Sequence, residues 1–294
     1  MQPLLVEGLD KVQLLRVSLA LFIVFIGGLF TSPRAFYKPY GGDRICIAVT
    51  IPPQVEFVER IGGDRVYVTV MVPPGYNPHT YEPRVSQLRG VSVARIYFQV
   101  GSGVEFELAQ MDRLRSLNRD MLVVNCSRGV RIVDGDPHVW LSPRNVKVMI
   151  ENIYEALVQV DPANEEYYRR NMEAYLRELD ELDRDIRLAF MNVTNRRFMV
   201  YHPSWGYFAR DYNLTQIPIE SEGKEPTPAG LAALVDQARR LNIKVVIVSP
   251  QFDFKKAETI AEEIGGRVIF ADPLAKDYLD NLRKFAFELA GSMG

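Results

Sequence analysis

The sequence is poor in the side chains that most often bind metals or form cross-links. Its 294 residues include 3 histidines and 2 cysteines, and the two cysteines lie in separate apolar stretches. This number of cysteines is too small for a disulfide-rich scaffold or a four-cysteine zinc module. We expect Cys46 and Cys126 to be buried free thiols, and a disulfide between them is the alternative.

An excess of charge of either sign is also absent. The chain carries 35 Lys and Arg against 37 Asp and Glu, a formal net charge of −2. Such a balance gives no basic signature for nucleic acid, so we expect no nucleic-acid partner. The hydrophobic share of 47% is typical of a globular protein with a substantial core. The length allows one large or two medium domains.

One long apolar run, "VSLALFIVFIGGLF", occupies residues 17–30 and follows Lys11 and Arg16. A positive flank before a short apolar run is typical of a secretory signal. A membrane span needs about 20 apolar residues, and including Leu14 and Leu15 keeps a retained anchor open. We assign residues 1–44 to a signal or anchor segment with its linker. We therefore expect an extracytoplasmic protein, at the cell surface or in the periplasm, with membrane association through residues 14–30.

Strand-like and helix-like stretches alternate in two parts of the chain. Apolar runs such as "RICIAV" and "ARIYFQV" occur at intervals in residues 45–142, and runs such as "RRFMVY" and "IKVVIV" occur at intervals in residues 192–294. This alternation predicts an α/β fold with parallel sheets. Residues 143–191 have helical periodicity, beginning at Ser142-Pro143 and interrupted at Asp161-Pro162, which predicts a linking helix. A coiled-coil dimer arm is the alternative for this helix, and we favour a monomer.

The three histidines lie in short proline-containing motifs, as does one aspartate. His79 is in "GYNPHTYEP", His138 in "DPHVWLSP", His202 in "VYHPSWGYF" and Asp272 in "VIFADP". Open parallel sheets bind ligands beyond the carboxyl ends of their strands, and these residues follow predicted strands or lie in loops. Three imidazoles and a carboxylate suit a tetrahedral divalent metal. The motifs are tens of residues apart, so spacing alone leaves unrelated surface histidines as an alternative.

These motifs, together with "EPTPAGLAAL" and "DPLAKDYLDNLR", resemble the zinc/manganese solute-binding proteins of ATP-binding-cassette importers. They occur in the family's order and cover residues from about 45 to 294. The resemblance implies two parallel-sheet lobes joined by one long backbone helix, with the metal in the cleft between them. It places the metal ligands on His79, His138, His202 and Asp272. It also implies an importer permease and its ATPase as partners.

The chemistry of the third ligand position indicates the metal. Manganese-binding members of the family tend to carry a carboxylate where this sequence has His202. Imidazole suits zinc, whereas oxygen ligands suit manganese. We therefore expect Zn²⁺ as the bound ion, with Mn²⁺ or iron as the alternative.

Two other functions fit the same motifs. One is a family-related surface adhesin. The other is a zinc hydrolase, which needs an open metal position and a general base, and Glu222 and Glu225 follow a predicted strand where such a base would lie. For Glu225 a role near the following helix start is the alternative. We expect a binding protein rather than an enzyme.

Several neighbours of the ligand motifs have predicted supporting roles. Asp136 is a candidate to orient a ligand histidine through its second ring nitrogen, or alternatively to cap a turn. The aromatic residues around the motifs are expected to pack in the core or shield the site: Trp140, Trp205, Tyr207 and Phe208.

Overall fold

The computed structural model describes residues 42–220 and 224–293, so the predicted signal or anchor run and Glu222 lie outside the described residues. The first half contains a parallel sheet in the order β2-β1-β3-β4. Its elements are β1 (Ile45–Val49), α1 (Pro53–Gly62), β2 (Val66–Val70), α2 (Val85–Ser92), β3 (Ile96–Gln99), α3 (Glu105–Leu117) and β4 (Leu122–Asn125).

The second half repeats this plan with a parallel sheet in the order β6-β5-β7-β8. The remaining elements are α4 (Pro143–Val160), α5 (Glu165–Ala189), β5 (Arg197–Val200), α6 (Gly206–Asp211), β6 (Thr215–Pro218), α7 (Pro228–Arg240), β7 (Val245–Val248), α8 (Phe254–Glu263), β8 (Arg267–Phe270) and α9 (Tyr278–Met293). The predicted α/β class with two parallel sheets is confirmed. Within the two described ranges, no helix combines the length and apolar character needed to cross a bilayer.

The central strands have the composition of parallel strands covered on both faces. The sequence "VVIV" of β7 is buried throughout, and so are the last four residues of β1. Continuous apolar, β-branched runs are the pattern that such strands require. Cys46 on β1 and Cys126 after β4 are both buried, as expected.

The interruption at Asp161 reverses the direction of the chain, which the sequence did not reveal. Helices α4 and α5 pack side by side, and Lys147 pairs with Asp180 while Arg144 pairs with Asp183. Pairs that close together around one turn are the pattern of an antiparallel hairpin. The stretch predicted as one interrupted linking helix is thus two helices folded against each other, and only α5, of 25 residues, leads into the second half.

The larger hydrophobic core runs through both halves. It includes the inner faces of the first sheet, α4 and α5, and also Trp205, Phe208 and the buried side of α9. Phe57 of α1 meets Tyr278 of α9 edge to face, with ring centroids 5.1 Å apart. A smaller core lies between the second sheet and helices α7 and α8. The apolar stripe of α5 is buried within the chain, where Tyr175 and Leu182 are fully covered, rather than left for a coiled-coil partner.

Candidate metal site

The three histidines, distant in sequence, meet at one place. The ring centroid of His202 lies 5.5 Å from that of His79 and 5.3 Å from that of His138. Two imidazoles bound to one tetrahedral zinc, with Zn–N distances near 2.0–2.1 Å, have centroids about 5.2 Å apart. Both distances from His202 are thus close to the spacing of two imidazoles that share one ion.

The sheets explain this convergence. His202 lies two residues after β5, His138 lies in the long segment after β4, and His79 lies beyond β2, so all three come from the carboxyl ends of parallel strands. These ends are the ligand-binding edge of open α/β sheets. Local hydrogen bonds fix two of the loops: the His79 amide donates to Asn77 Oδ1 at 2.9 Å, and the His138 amide donates to Asp136 Oδ1 at 2.9 Å.

Each histidine has a carboxylate at its Nδ1 atom. Asp136 Oδ1 lies 2.7 Å from His138 Nδ1, and Glu105 Oε2 lies 3.2 Å from His79 Nδ1. Glu220 Oε1 contacts His202 Nδ1 at short range. A carboxylate at Nδ1 holds a proton there, so that the Nε2 lone pair is available to a metal. The predicted orienting role of Asp136 is consistent with this contact, and the two glutamates were not anticipated.

His202 carries the clearest signal of a missing ligand. Its Nε2 atom is buried and has no hydrogen-bond partner among the described residues. Burial is the main reason that the pKa of His202 lies below its ordinary value, against the opposing effect of Glu220. A buried imidazole kept neutral with an unpaired ring nitrogen is in the state that coordinates a cation.

His79 has a wetter environment. Its side chain is 35% exposed and that of Glu105 46% exposed, against 13% for His202 and 5% for Glu220. The hydrogen bond from Glu105 raises the pKa of His79, and the same contact lowers the pKa of Glu105. Exposed contacts of this kind are weakened by solvent screening.

Asp272 follows β8, at the same edge of the second sheet as His202. Its Oδ1 atom accepts hydrogen bonds from Gln251 Nε2 at 3.0 Å and from the Leu274 amide at 2.9 Å. Gln251, Pro273 and Leu274 line the cavity at the histidines, and Asp272 is not among its lining residues. The structure thus brings the three histidines together, whereas the carboxylate of Asp272 is engaged by Gln251 from the loop after β7 and by the Leu274 amide of its own loop.

The cavity between the histidines measures about 30 Å³, enough for one ion or water molecule. Phe252 stacks on the His202 ring, with centroids 5.0 Å apart, and Trp140 lies 5.2 Å from the His138 ring. Trp140 Nε1 donates to the Pro273 carbonyl at 2.7 Å, which ties the first half to the loop of Asp272. Within the described residues, no group of three or more His, Cys, Asp or Glu side chains yet has the geometry to hold a metal ion.

The other predicted neighbours have structural contacts. Trp205 stacks on Phe285 of α9 at 3.8 Å between centroids, and Phe208 packs beside the same ring. Glu225 contacts Lys256 and accepts a hydrogen bond from Tyr201 at 3.3 Å, which ties it to α8 rather than to the start of α7. The cap of α7 is Thr227, whose side chain accepts from the Gly230 amide.

The glutamate beside His202 was not anticipated from the sequence. Glu220 is buried against His202, whereas Glu222 and Glu225 were considered only as a general base for the hydrolase alternative, and Glu222 lies outside the described residues. Glu220 lies two residues after β6, and that position was the available signal. Glu105 lies in the first turn of α3, where a carboxylate is expected from the helix dipole alone, so nothing local marked it as a histidine partner.

Two parallel-sheet lobes with a histidine-lined cleft at their strand ends define a solute-binding protein. A crystal structure of ZnuA superposes with a TM-score of 0.83 and 42% identity, covering 86% of this chain and 100% of that one. The manganese complex of FpvC from Pseudomonas aeruginosa superposes with a TM-score of 0.74 at 24% identity, covering 85% of this chain and 98% of that one, and shows the shared fold.

Sequence comparison agrees with the structural likeness. The high-affinity zinc uptake system protein ZnuA of Bacillus subtilis is 29% identical over 247 residues, 77% of each chain. The family model "zinc-uptake complex component A, periplasmic" matches residues 47–291. The chain belongs to this family. Its members are solute-binding proteins and not enzymes, so the hydrolase alternative is wrong.

Proposed function

We propose that the chain captures one Zn²⁺ ion in the cleft and delivers it to the permease of an ATP-binding-cassette importer. His79, His138 and His202 supply Nε2 ligands, and Asp272 completes the shell. One observation carries the proposal. The Nε2 atom of His202 is buried and has no hydrogen-bond partner among the described residues, and the centroid of its ring lies within 5.5 Å of the centroids of two further imidazoles.

The donor set favours zinc over manganese. Three neutral imidazoles are borderline-soft nitrogen ligands that suit Zn²⁺, whereas manganese favours carboxylate, carbonyl and water oxygens. The carboxylates at this site lie against the Nδ1 atoms, where they orient the rings instead of replacing them as ligands. We therefore expect Mn²⁺ to bind more weakly than Zn²⁺.

Completion of the shell requires small movements. Because Asp272 Oδ1 is engaged by Gln251 and Leu274, its other oxygen, Oδ2, or a turn of the side chain must supply the fourth ligand. The shared core between the halves favours local changes in the ligand loops over a large movement of one lobe. Release to a permease then needs a partner that displaces these loops.

The first test is competition of the metal-free chain with a fluorescent zinc chelator, with Mn²⁺ titrated in parallel. We expect one zinc per chain and weaker manganese binding. Replacement of His138 by Ala should weaken zinc binding by more than the roughly 10- to 100-fold typical of losing a supporting hydrogen bond. Wild-type zinc affinity in H138A would refute the ligand assignment.

A second test separates import from adhesion. Reconstituted permease and ATPase should bind the zinc-loaded chain, and ATP hydrolysis by the complex should rise when the chain is added. A chain that binds zinc, fails to engage the permease and binds a host matrix protein instead would support the adhesin alternative.

A further inference from the structure

Asp136 connects the His138 loop to the second half of the molecule. Its side chain accepts from the His138 amide and contacts His138 Nδ1. Its carbonyl oxygen accepts from the Tyr207 hydroxyl at 3.2 Å, and the same hydroxyl accepts from the Val133 amide at 2.9 Å. One hydroxyl of α6 therefore fixes two points of the loop that leads into His138.

Gly206, the first residue of α6, lies directly against the Asp136 carboxylate. A Cβ atom at this position would stand 2.6 Å from Asp136 Oδ2 and 3.2 Å from Gln216 Nε2. Gly206 is absent from the glycines with positive φ, so its backbone conformation suits any residue. An added side chain would thus first meet the carboxylate that orients His138, and that carboxylate would have to shift.

The position of α6 links this contact to a second ligand. The helix begins four residues after His202, and Gln216 accepts a hydrogen bond from the Trp205 amide between them at 3.1 Å. The short segment that carries His202 is therefore continuous with the helix end that supports Asp136. Two ligands from different halves share one support.

We propose that Gly206 and Tyr207 are positioning residues for His138. Gly206 leaves room for the Asp136 carboxylate, and Tyr207 holds the loop so that this carboxylate stays at Nδ1 of His138. The proposal rests on the proposed zinc function, because it concerns how a zinc ligand is oriented. It assigns to α6 a direct role in the cross-lobe site.

The first experiment is a double-mutant cycle between Gly206→Ala and Asp136→Ala, read as zinc affinity by chelator competition. The methyl group of G206A is expected to act by displacing the Asp136 carboxylate. In D136A that carboxylate is absent, so the added methyl group should have no further effect. We expect G206A and D136A each to lose roughly 10- to 100-fold in affinity and the double variant to match D136A alone. Wild-type affinity in G206A, or losses that multiply in the double variant, would overturn the proposal.

Gly291 provides a matched control. It is also a helical glycine without a positive φ, it lies in α9, and a Cβ there would meet no atom within 4 Å. G291A should leave zinc affinity unchanged. If G206A proves unstable, D136A/G206A still tests the idea, because removal of the carboxylate relieves the clash and should restore folding.

The second experiment examines the metal-free chain. Long-range ¹H–¹⁵N correlation of the imidazole nitrogens, at a pH above the histidine range, reports which ring nitrogen carries the proton. With 3 histidines in the sequence, each signal can be assigned by substitution. We expect an Nδ1–H tautomer for His138 in wild type, a shift toward Nε2–H in G206A and a smaller shift in Tyr207→Phe, with His202 unchanged.

An unaltered His138 tautomer in both variants would refute the positioning role. Failure of the proposed function gives a different pattern. Equal zinc affinity in wild type and H138A would mean that His138 is not a ligand. Weaker zinc binding in H138A, together with losses that multiply in the G206A/D136A double variant, would support the zinc site but show that Gly206 has no part in orienting His138.

Discussion

The two ends of the proposed metal site differ in how far water reaches them. His202 and Glu220 are nearly buried, and Phe252 covers the ring, whereas His79 and Glu105 stand at the surface of the cleft. Burial strengthens electrostatic contacts and keeps His202 neutral, which favours binding of a cation at the inner end. The outer end is more exposed to solvent. We therefore expect the inner end to contribute more to zinc affinity than His79 does.

The largest effect should come from removing the inner ligand. We expect His202→Ala to weaken zinc binding more than His79→Ala, because His202 is the more buried and better oriented ring. Asp272→Ala should be milder than either, since Asp272 is engaged by Gln251 and Leu274. Isothermal titration of the three variants measures the order. A larger loss in H79A than in H202A would reverse the comparison.

Zinc should stabilise the whole chain, because its ligands come from both halves. Binding to the native state alone contributes about 2.7 kcal/mol at a free metal level 100 times the dissociation constant. For a chain of this size that corresponds to a rise in melting temperature of roughly 5 °C. Differential scanning calorimetry should show this rise in wild type and a much smaller one in H202A. An equal rise in H202A would place the zinc elsewhere.

The orienting glutamates should matter unequally. Glu220→Gln removes the charge beside a buried ring and should cost roughly 10-fold or more in zinc affinity. Glu105→Gln changes an exposed contact that solvent already screens, so its cost should be smaller. The two variants keep side-chain volume and serve as controls for each other. Equal losses would show that exposure does not set the strength of these contacts.

Protons should compete with zinc, and His79, the outer histidine, should be protonated at a higher pH than His202. The pKa of His79 is raised by Glu105 and that of His202 is lowered by burial, so His79 gains its proton at the higher pH. Zinc affinity should fall as pH drops from about 7 to about 5. Because E105Q removes the group that raises the pKa of His79, its affinity should begin to fall at a lower pH. A flat wild-type profile would exclude histidine ligands.

The smallest expected effect is on overall size. The larger core passes through both halves by way of α5 and α9, and bending the molecule would expose it. Small-angle scattering should therefore show little change in the radius of gyration when zinc is added. A large compaction would mean that the lobes close as rigid bodies around the ion.

The architecture could be predicted because strands and helices are local patterns, whereas the grouping of the three histidines was implied by the family resemblance and not by their spacing. The contact between Asp136 and His138 could also be predicted, because the two residues are only two positions apart in the sequence. The contact between His202 and Glu220 joins positions 18 residues apart, and which glutamate lies beside the ring depends on burial that only the fold defines.

Long-range packing was beyond the sequence for a related reason. The reversal at Asp161 packs α4 against α5 in the larger core, and the residues of the pair that joins them, Lys147 and Asp180, look in the sequence like ordinary surface charges on one continuous helix. The support of the His138 loop by Gly206 likewise depends on a close approach between halves, and a glycine at a helix start does not by itself reveal what lies against it.

The most direct measurement is a crystal structure of the chain loaded with one equivalent of zinc, with anomalous difference maps collected on both sides of the zinc edge. We expect a single strong peak between the lobes, about 2.0–2.1 Å from Nε2 of His79, His138 and His202. A peak remote from these three rings, or one touching histidines of a single half, would contradict a zinc site shared between the two halves of the molecule.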